Sequence, residues 1–358
     1  MMNEERKTET QRAESRETNE SDSSFIVHRS SFYRVSRLRF FVQAACFVLF
    51  VYAGLMGMRR LTVGGREPSL PTLSCEFVPQ KVMKCYLHDL QTFLTRGALD
   101  RYASLIEPTA FFLVFCLLLG RAWCGWACPL GFLQDCVDRI RPALGFGFLR
   151  AGPRTKRVFA WTAYTLLGLA VFLSIFIGRP ESRLYPLAGS LAAPYCQLCP
   201  ARQLLPLAQG DAKNFFLFDR YSATTRVMSI LGMVTAGSFL LLTPVMRRFW
   251  CRLCAMGILM RFLRINRWAM FELVKEPHRC TYCGSCERAC PVDITEVFEE
   301  RAKPSVRVAA CHLCLKCVEA CAEDNVLEAR WLGRRVMRSS FRYACDKMGK
   351  EKETTRPA

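Results

Sequence analysis

Twenty of the 358 residues are cysteine, far above ordinary usage, and most of them are grouped. From Cys280 the chain reads CTYCGSCERACP, and from Cys311 it reads CHLCLKCVEACA. Both follow C-x2-C-x2-C-x3-C, and the second begins 31 residues after the first. Three closely spaced thiolates can wrap three irons of one cubane while a fourth, on the following helix, reaches another cubane. Zinc wants four ligands in two pairs, and two such quartets fit it poorly. A disulfide framework is the other reading of abundant cysteine, but tight CxxC grouping favours metal. There is no CxxCH for covalent haem. The four histidines, His28, His88, His278 and His312, lie outside the apolar runs, which argues against a membrane haem held by two histidines. Walker A and dinucleotide-binding glycine motifs are missing too.

The twin motif resembles the bacterial two-cluster ferredoxin signature. Carried over by position, the resemblance implies one [4Fe–4S] cluster on Cys280, Cys283, Cys286 and Cys321, and another on Cys311, Cys314, Cys317 and Cys290. Pro291 follows Cys290, whereas Ala322 follows Cys321. Residues 304–308 and 326–330 are expected as the short strands of an α+β ferredoxin-like domain.

Three further pairs stand apart: Cys124/Cys128 in WCGWACP, Cys196/Cys199 in PYCQLCP and Cys251/Cys254 in FWCRLCA. Proline suits the first turn of a helix. Cys128 and Cys199 are therefore expected at helix N-caps, where the dipole favours thiolate.

The elements that must hold these thiols are apolar. The chain is 51% hydrophobic yet carries a net charge of +19, which fits apolar spans with basic flanks better than a soluble globule. Four runs, Phe40–Met58, about Ala103–Gly120, Val158–Gly178 and Val227–Met246, approach the roughly 20 residues a helix needs to cross a bilayer. Arg29, Arg34, Arg37 and Arg39 precede the first, and Arg247, Arg248, Arg252, Arg261, Arg264 and Arg267 follow the last. This bias predicts both termini in the cytoplasm, with 59–102 and 179–226 outside and 121–157 inside. Cys124, Cys128, Cys251 and Cys254 then form a candidate inner metal site. Cys75, Cys85, Cys196 and Cys199 form an outer group of candidate redox thiols or disulfides, with metal as the alternative. Cys46, Cys116, Cys136 and Cys345 are assigned to packing or surface thiols. Trp123, Trp126, Trp161 and Trp250 fit interfacial belts. Glu107 is a candidate proton acceptor.

The segments GRAWCGWACPLGFLQD (120–135) and RFWCRLCAMGIL (248–259), with the twin motif, resemble the membrane polyferredoxins. That group takes in NapH-type subunits, the C-terminal half of NosR-type proteins and CcoG-type proteins. The resemblance covers about 38–325. It departs at Cys251–Cys254, where the family spacing is longer and proline stands in place of Ala255. The expected fold is a polytopic α-helical membrane protein of about four spans with a C-terminal 2[4Fe–4S] ferredoxin-like domain. Its parts are a disordered cytoplasmic tail (1–37), a transmembrane domain (38–270), the ferredoxin domain (271–330) and a basic tail (331–358). The resemblance implies an iron–sulfur electron carrier, or a subunit of a quinol dehydrogenase-type complex, in the bacterial inner membrane with the ferredoxin domain cytoplasmic. It would pass electrons between quinol and a redox partner such as a cytochrome or second ferredoxin. Two [4Fe–4S] clusters are expected, with a third cluster or metal at the membrane edge. No nucleic-acid partner is expected. Two alternatives are a copper or disulfide reductase used in assembling another enzyme, and a redox-sensing membrane anchor.

Overall fold

The computed structural model describes residues 34–57, 69–70, 75–78, 84–96, 102–145, 147–211, 223–265 and 270–340. The tail before residue 34, Cys345 and the end of the basic tail lie outside them. Helices α1 (Arg34–Tyr52), α3 (Tyr102–Leu119), α6 (Pro153–Ile177) and α9 (Ala223–Leu242) form the long bundle. Strands β1 (Ser69–Leu70) and β2 (Lys84–Cys85) make a two-residue parallel bridge, and β2 leads into α2 (Tyr86–Thr95). Helices α4 (Ala122–Trp126) and α5 (Pro129–Ile140) follow α3, α7 (Pro194–Leu198) and α8 (Ala201–Ala208) follow α6, and α10 (Phe249–Leu253) and α11 (Ala255–Ile265) follow α9.

The four apolar runs thus become the four long helices, with shifted ends. Helix α1 starts before its apolar run because Arg39 is turned inward and buried, paired with Asp135 at 3.2 Å. Three helices, α1, α6 and α9, are long and apolar enough to cross a membrane. Helix α3 has 18 residues with Pro108 inside, about 27 Å at 1.5 Å per residue, and its apolar part is shorter. Small residues mark the inward stripes. On α9 these are Ser229, Gly232 and Ala236, and on α6 Ala163, Ala170 and Ser174, all buried. Such residues let backbones approach closely without a hydrophobic driving force between helices. The opposite faces expose Trp161, Phe172, Val234 and Leu241.

The C-terminal domain is a four-stranded antiparallel sheet of order β4-β3-β5-β6, from β3 (Phe271–Lys275), β4 (Ser305–Val306), β5 (Leu327–Trp331) and β6 (Arg334–Arg338). Short helices α12 (Ser285–Arg288), α13 (Glu296–Glu299) and α14 (Lys316–Ala320) complete it. The expected strands at 304–308 and 326–330 are present as β4 and β5. The expected basic tail begins as a strand: β6 pairs along β5, with Ala329 opposite Met337.

This domain meets one end of the bundle. Ser36 at the start of α1 hydrogen-bonds Glu319. Trp331 donates to the Leu118 carbonyl at the end of α3 (3.0 Å). The Ala151 amide before α6 donates to Asp293 (3.1 Å), and Arg252, beyond α9, pairs with Asp293 at 2.7 Å. Alternate helix ends therefore face the domain, so the long helices run up, down, up, down.

Candidate metal centres

In the C-terminal domain the motif cysteines surround two cavities. Cys280, Cys283, Cys286 and Cys321 line one of about 350 Å³. Cys290, Cys311, Cys314 and Cys317 line the other, of about 430 Å³, and Cys286 touches both. The chain wraps each cavity through matched left-handed turns. Tyr282 (φ 54°) and Leu313 (φ 48°) sit two residues after the first cysteine, and Gly284 (φ 71°) and Leu315 (φ 60°) sit four after it. Left-handed backbone at non-glycine residues costs roughly 1–2 kcal/mol each. The turns aim amides at sulfur: Leu313 N–H donates to Cys311 Sγ (3.4 Å) and Ile294 N–H to Cys290 Sγ (3.3 Å). Such donors are among the factors that set cluster potentials. Burial pushes the Cys286 thiol up to about 11 and Cys290 up to about 12, so metal loading must displace their protons. Among the described residues, no group of three or more His, Cys, Asp and Glu is placed to hold a single metal ion. The thiols are grouped around a volume, as a cubane needs.

The remaining paired cysteines come together inside the bundle. Cys124, Cys128, Cys251 and Cys254, together with Cys75, Cys85, Cys196 and Cys199, all line one cavity of about 900 Å³ inside the bundle. The two expected quartets are not held far apart at opposite faces, because loop topology fixes the side from which a segment enters, not how far it goes. Helix α7 comes in from the α6–α9 connection yet packs against the middle of α9. Thr235 Oγ donates to the Leu198 carbonyl (2.6 Å), and a Cβ on Gly232 would stand 2.6 Å from the Gln197 carbonyl. Helices α10 and α11 come in from the other end, and the Ala255 amide donates to Tyr195 Oη (3.0 Å). Non-helical backbone survives at such depth only when buried in protein.

Cys128 is the N-cap of α5 with Pro129 at its first position, as expected. Cys199 falls one residue short of its expected cap: it ends α7, and Pro200 caps α8. Buried Asp135 anchors the inner segments. Arg248 grips it through Nε (3.0 Å) and Nη2 (2.5 Å), and Gln43 donates at 3.0 Å. Burial alone would raise this carboxyl, but the Arg248 and Arg39 guanidiniums overcome that and hold it well below the usual carboxylate range.

The membrane cavity and the ferredoxin domain touch at Gly125, beside Cys124. A Cβ there would lie 2.5 Å from the His312 carbonyl and 3.5 Å from Cys314 Cα and Cβ. Trp126 donates to the Leu313 carbonyl (2.9 Å). Arg121, 2% exposed, lines the cysteine cavity and donates to His312 Nε2 (3.0 Å) and the Ala309 carbonyl (3.2 Å). His312 in turn lines the second ferredoxin cavity. Burial, then the Arg121, Arg248, Arg252 and Arg261 charges, push His312 well below its ordinary value and keep it neutral. Sequence reasoning missed Arg121, Gln134 and Gly125 as site residues, although all three lie inside the quoted motif.

Other expectations separate here. Trp126 is tied to the ferredoxin domain and Trp250 is buried, so neither belongs to an interfacial belt. Trp161, 68% exposed, fits one. Cys116 packs in the bundle core, and Cys46 packs beside Phe50. Glu107 lies exposed on α3 and is not among the residues lining the cysteine cavity.

Residues 104–147 and 228–268 match a 4Fe-4S binding domain, and 272–322 match a 4Fe-4S dicluster domain. These matches support [4Fe–4S] clusters on the chain and a likeness to membrane-associated ferredoxin-type electron transport proteins. YccM of Escherichia coli, an electron transport protein by name, is 28% identical over 67% of this chain and 60% of its own length. The methylamine utilization ferredoxin-type protein MauN of Methylorubrum extorquens is 25% identical over 69% of this chain and 74% of its own. Protein NirI of Paracoccus denitrificans is 27% identical over 60% of this chain but only 27% of its own length. No solved structure matches.

Proposed function

We propose that this protein passes electrons one at a time between a quinol-type donor in the bilayer and a redox partner at the ferredoxin face. The carrying observation is the contact at Gly125, where the cysteine cavity and the Cys311–Cys314 loop meet backbone to backbone. One ferredoxin cluster sits on Cys280, Cys283, Cys286 and Cys321. The other sits on Cys311, Cys314, Cys317 and Cys290. A third sits on Cys124, Cys128, Cys251 and Cys254. The match of 104–147 and 228–268 to a 4Fe-4S binding domain supports that third site. So does Gln134, whose Nε2 donates to Cys251 Sγ (3.5 Å). A bound cluster supplies reversible one-electron storage. Arg121, buried beside the cavity with no carboxylate paired to it among the described residues, offers the cation that offsets the cluster's negative charge.

The alternating helix directions support four crossings, with α3 as the fourth. The basic flanks at Arg37 and Arg247 support an inner-membrane protein with its ferredoxin domain in the cytoplasm. The position of Cys196 and Cys199 around an interior cavity speaks against a thiol pair exchanging with protein disulfides. The test is anaerobic mixing of the purified protein with a soluble quinol while the visible cluster absorbance is followed. Bleaching comparable to that with dithionite is expected. Bleaching by dithionite alone would remove the quinol from the scheme.

A further inference from the structure

We propose that Cys75, Cys85, Cys196 and Cys199 hold an additional [4Fe–4S] cluster, paired with the one on Cys124, Cys128, Cys251 and Cys254. The matched 4Fe-4S stretches contain none of these four cysteines. The proposal rests on the cluster reading of the neighbouring quartet and extends it by an internal repeat.

The repeat is visible in residues and in bonds. Gln91 stands six positions after Cys85, and Gln134 stands six after Cys128. Cys85 and Cys128 each cap the N-terminus of the helix carrying that glutamine, with ψ of 122° and 123°. Gln91 Nε2 donates to the Leu87 carbonyl (2.9 Å) and to Cys196 Sγ (3.3 Å), and its Oε1 accepts from Tyr195 N–H (2.9 Å). Gln134 Nε2 donates to the Leu130 carbonyl (3.2 Å) and to Cys251 Sγ (3.5 Å), and its Oε1 accepts from Trp250 N–H (3.0 Å). The partners α7 and α10 are both five-residue helices reading aromatic-Cys-x-Leu and then Cys. Their closing cysteines, Cys199 and Cys254, adopt nearly the same backbone conformation (φ −73°, ψ 128° and φ −66°, ψ 118°). The frame that presents one quartet is built twice.

The space agrees. The shared cavity is larger than either ferredoxin cavity and is lined by eight cysteines. Within it, Cys196 is close enough to Cys85, Cys199 and Cys75 for mutual electrostatic influence. Cys124 is similarly close to Cys251 and Cys254. Cys199 and Cys254 lie near each other and belong to both packing clusters of the bundle, so the quartets adjoin there. Loading the site forms four Fe–S(Cys) bonds and releases four thiol protons, with no change in the oxidation state of the cluster. Thereafter it takes and gives one electron. The four clusters then form one line: Cys75/Cys85/Cys196/Cys199, then Cys124/Cys128/Cys251/Cys254, then Cys311/Cys314/Cys317/Cys290, then Cys280/Cys283/Cys286/Cys321.

The test is the iron and acid-labile sulfide content of anaerobically purified full-length protein. About sixteen of each per chain is expected. About twelve in the wild type would overturn the proposal and leave the third cluster standing. About eight would overturn both. In the double variant C196A/C199A the count should fall by about four, with the ferredoxin EPR signals retained; an unchanged count overturns the proposal. Should that variant fail to fold, Gln91→Leu removes the N–H···S bond, along with the bonds to the Leu87 carbonyl and from Tyr195 N–H, and no ligand. It should keep about sixteen irons and move one cluster's potential negative. Unchanged potentials for all clusters in Gln91→Leu overturn the proposal without the double variant.

Discussion

Substituting Gly125 by alanine tests whether the membrane cavity and the ferredoxin domain are held at one fixed separation. Nothing in the substitution touches a sulfur. The added Cβ would stand 2.5 Å from the His312 carbonyl, where ordinary contact begins near 3.4 Å. The obstruction is backbone on the far side, and Gln43, which grips the Gly125 carbonyl at 2.9 Å, holds the near side. The Cys311–Cys314 loop must therefore retreat by about 1 Å, at the 1–3 kcal/mol typical of overpacking. That retreat also stretches the bond from Trp126 to Leu313. G125A should keep its full iron content and lower its thermal midpoint. It should also slow the reduction of the ferredoxin clusters by quinol in stopped flow, while direct reduction by dithionite is unaffected. A variant with wild-type stability and an unchanged quinol-driven rate would refute the argument that this contact sets the separation. A variant that lost iron would refute the premise that only the docking has been disturbed.

Three further outcomes follow from the same residues. Asp135→Asn strands the Arg39 and Arg248 charges and should cost about 3–5 kcal/mol, read as a large drop in thermal midpoint. Because the native carboxyl is held below its unfolded value of about 3.9, its contribution is complete above that pH and is lost as the pH falls through the folded value. The gap between wild type and variant should therefore be flat above about pH 5 and close only in acid. Arg121→Met removes a buried cation from the cavity wall. If that charge is worth about 1.4 kcal/mol, the midpoint of the adjoining cluster should move negative by about 60 mV, and unchanged redox titrations would exclude it as a counter-charge. Trp126→Phe keeps the ring but removes its bond to Leu313, and should weaken docking by about 1 kcal/mol, seen as faster amide exchange in the Cys311–Cys317 loop with iron unchanged.

The ferredoxin domain was legible from sequence because its motif cysteines are local: three of each four lie within seven residues, and the fourth belongs to the same pattern in the other repeat. Strands β4 and β5 were legible for the same reason. β3 (FELVK) and β6 (RRVMR) were not, because their charged residues mask the two-residue alternation. Lys275 shows why. It is buried, with its ammonium bonded to the Phe298 and Glu300 carbonyls at 2.9 and 2.8 Å, and nothing in a five-residue string announces such partners.

The bundle repeats that lesson at larger scale. Arg39, Arg248 and Arg252 were read as flank charges that fix orientation. Arg39 and Arg248 are buried and close on one aspartate near the α4–α5 cysteines, and half-buried Arg252 pairs with Asp293. Hydropathy treats a connection between spans as a loop at one surface, whereas α7 and α10 enter from opposite ends and come together at Tyr195 and Ala255. What makes that entry affordable is the pair of glutamines. An amide side chain can accept from one buried backbone N–H while donating to a carbonyl and a sulfur, and Gln91 and Gln134 each do all three. The glutamine spacing after Cys85 and Cys128 was present in the sequence. Only the coincidence of bonds across two pairs of distant segments shows that the spacing has a purpose.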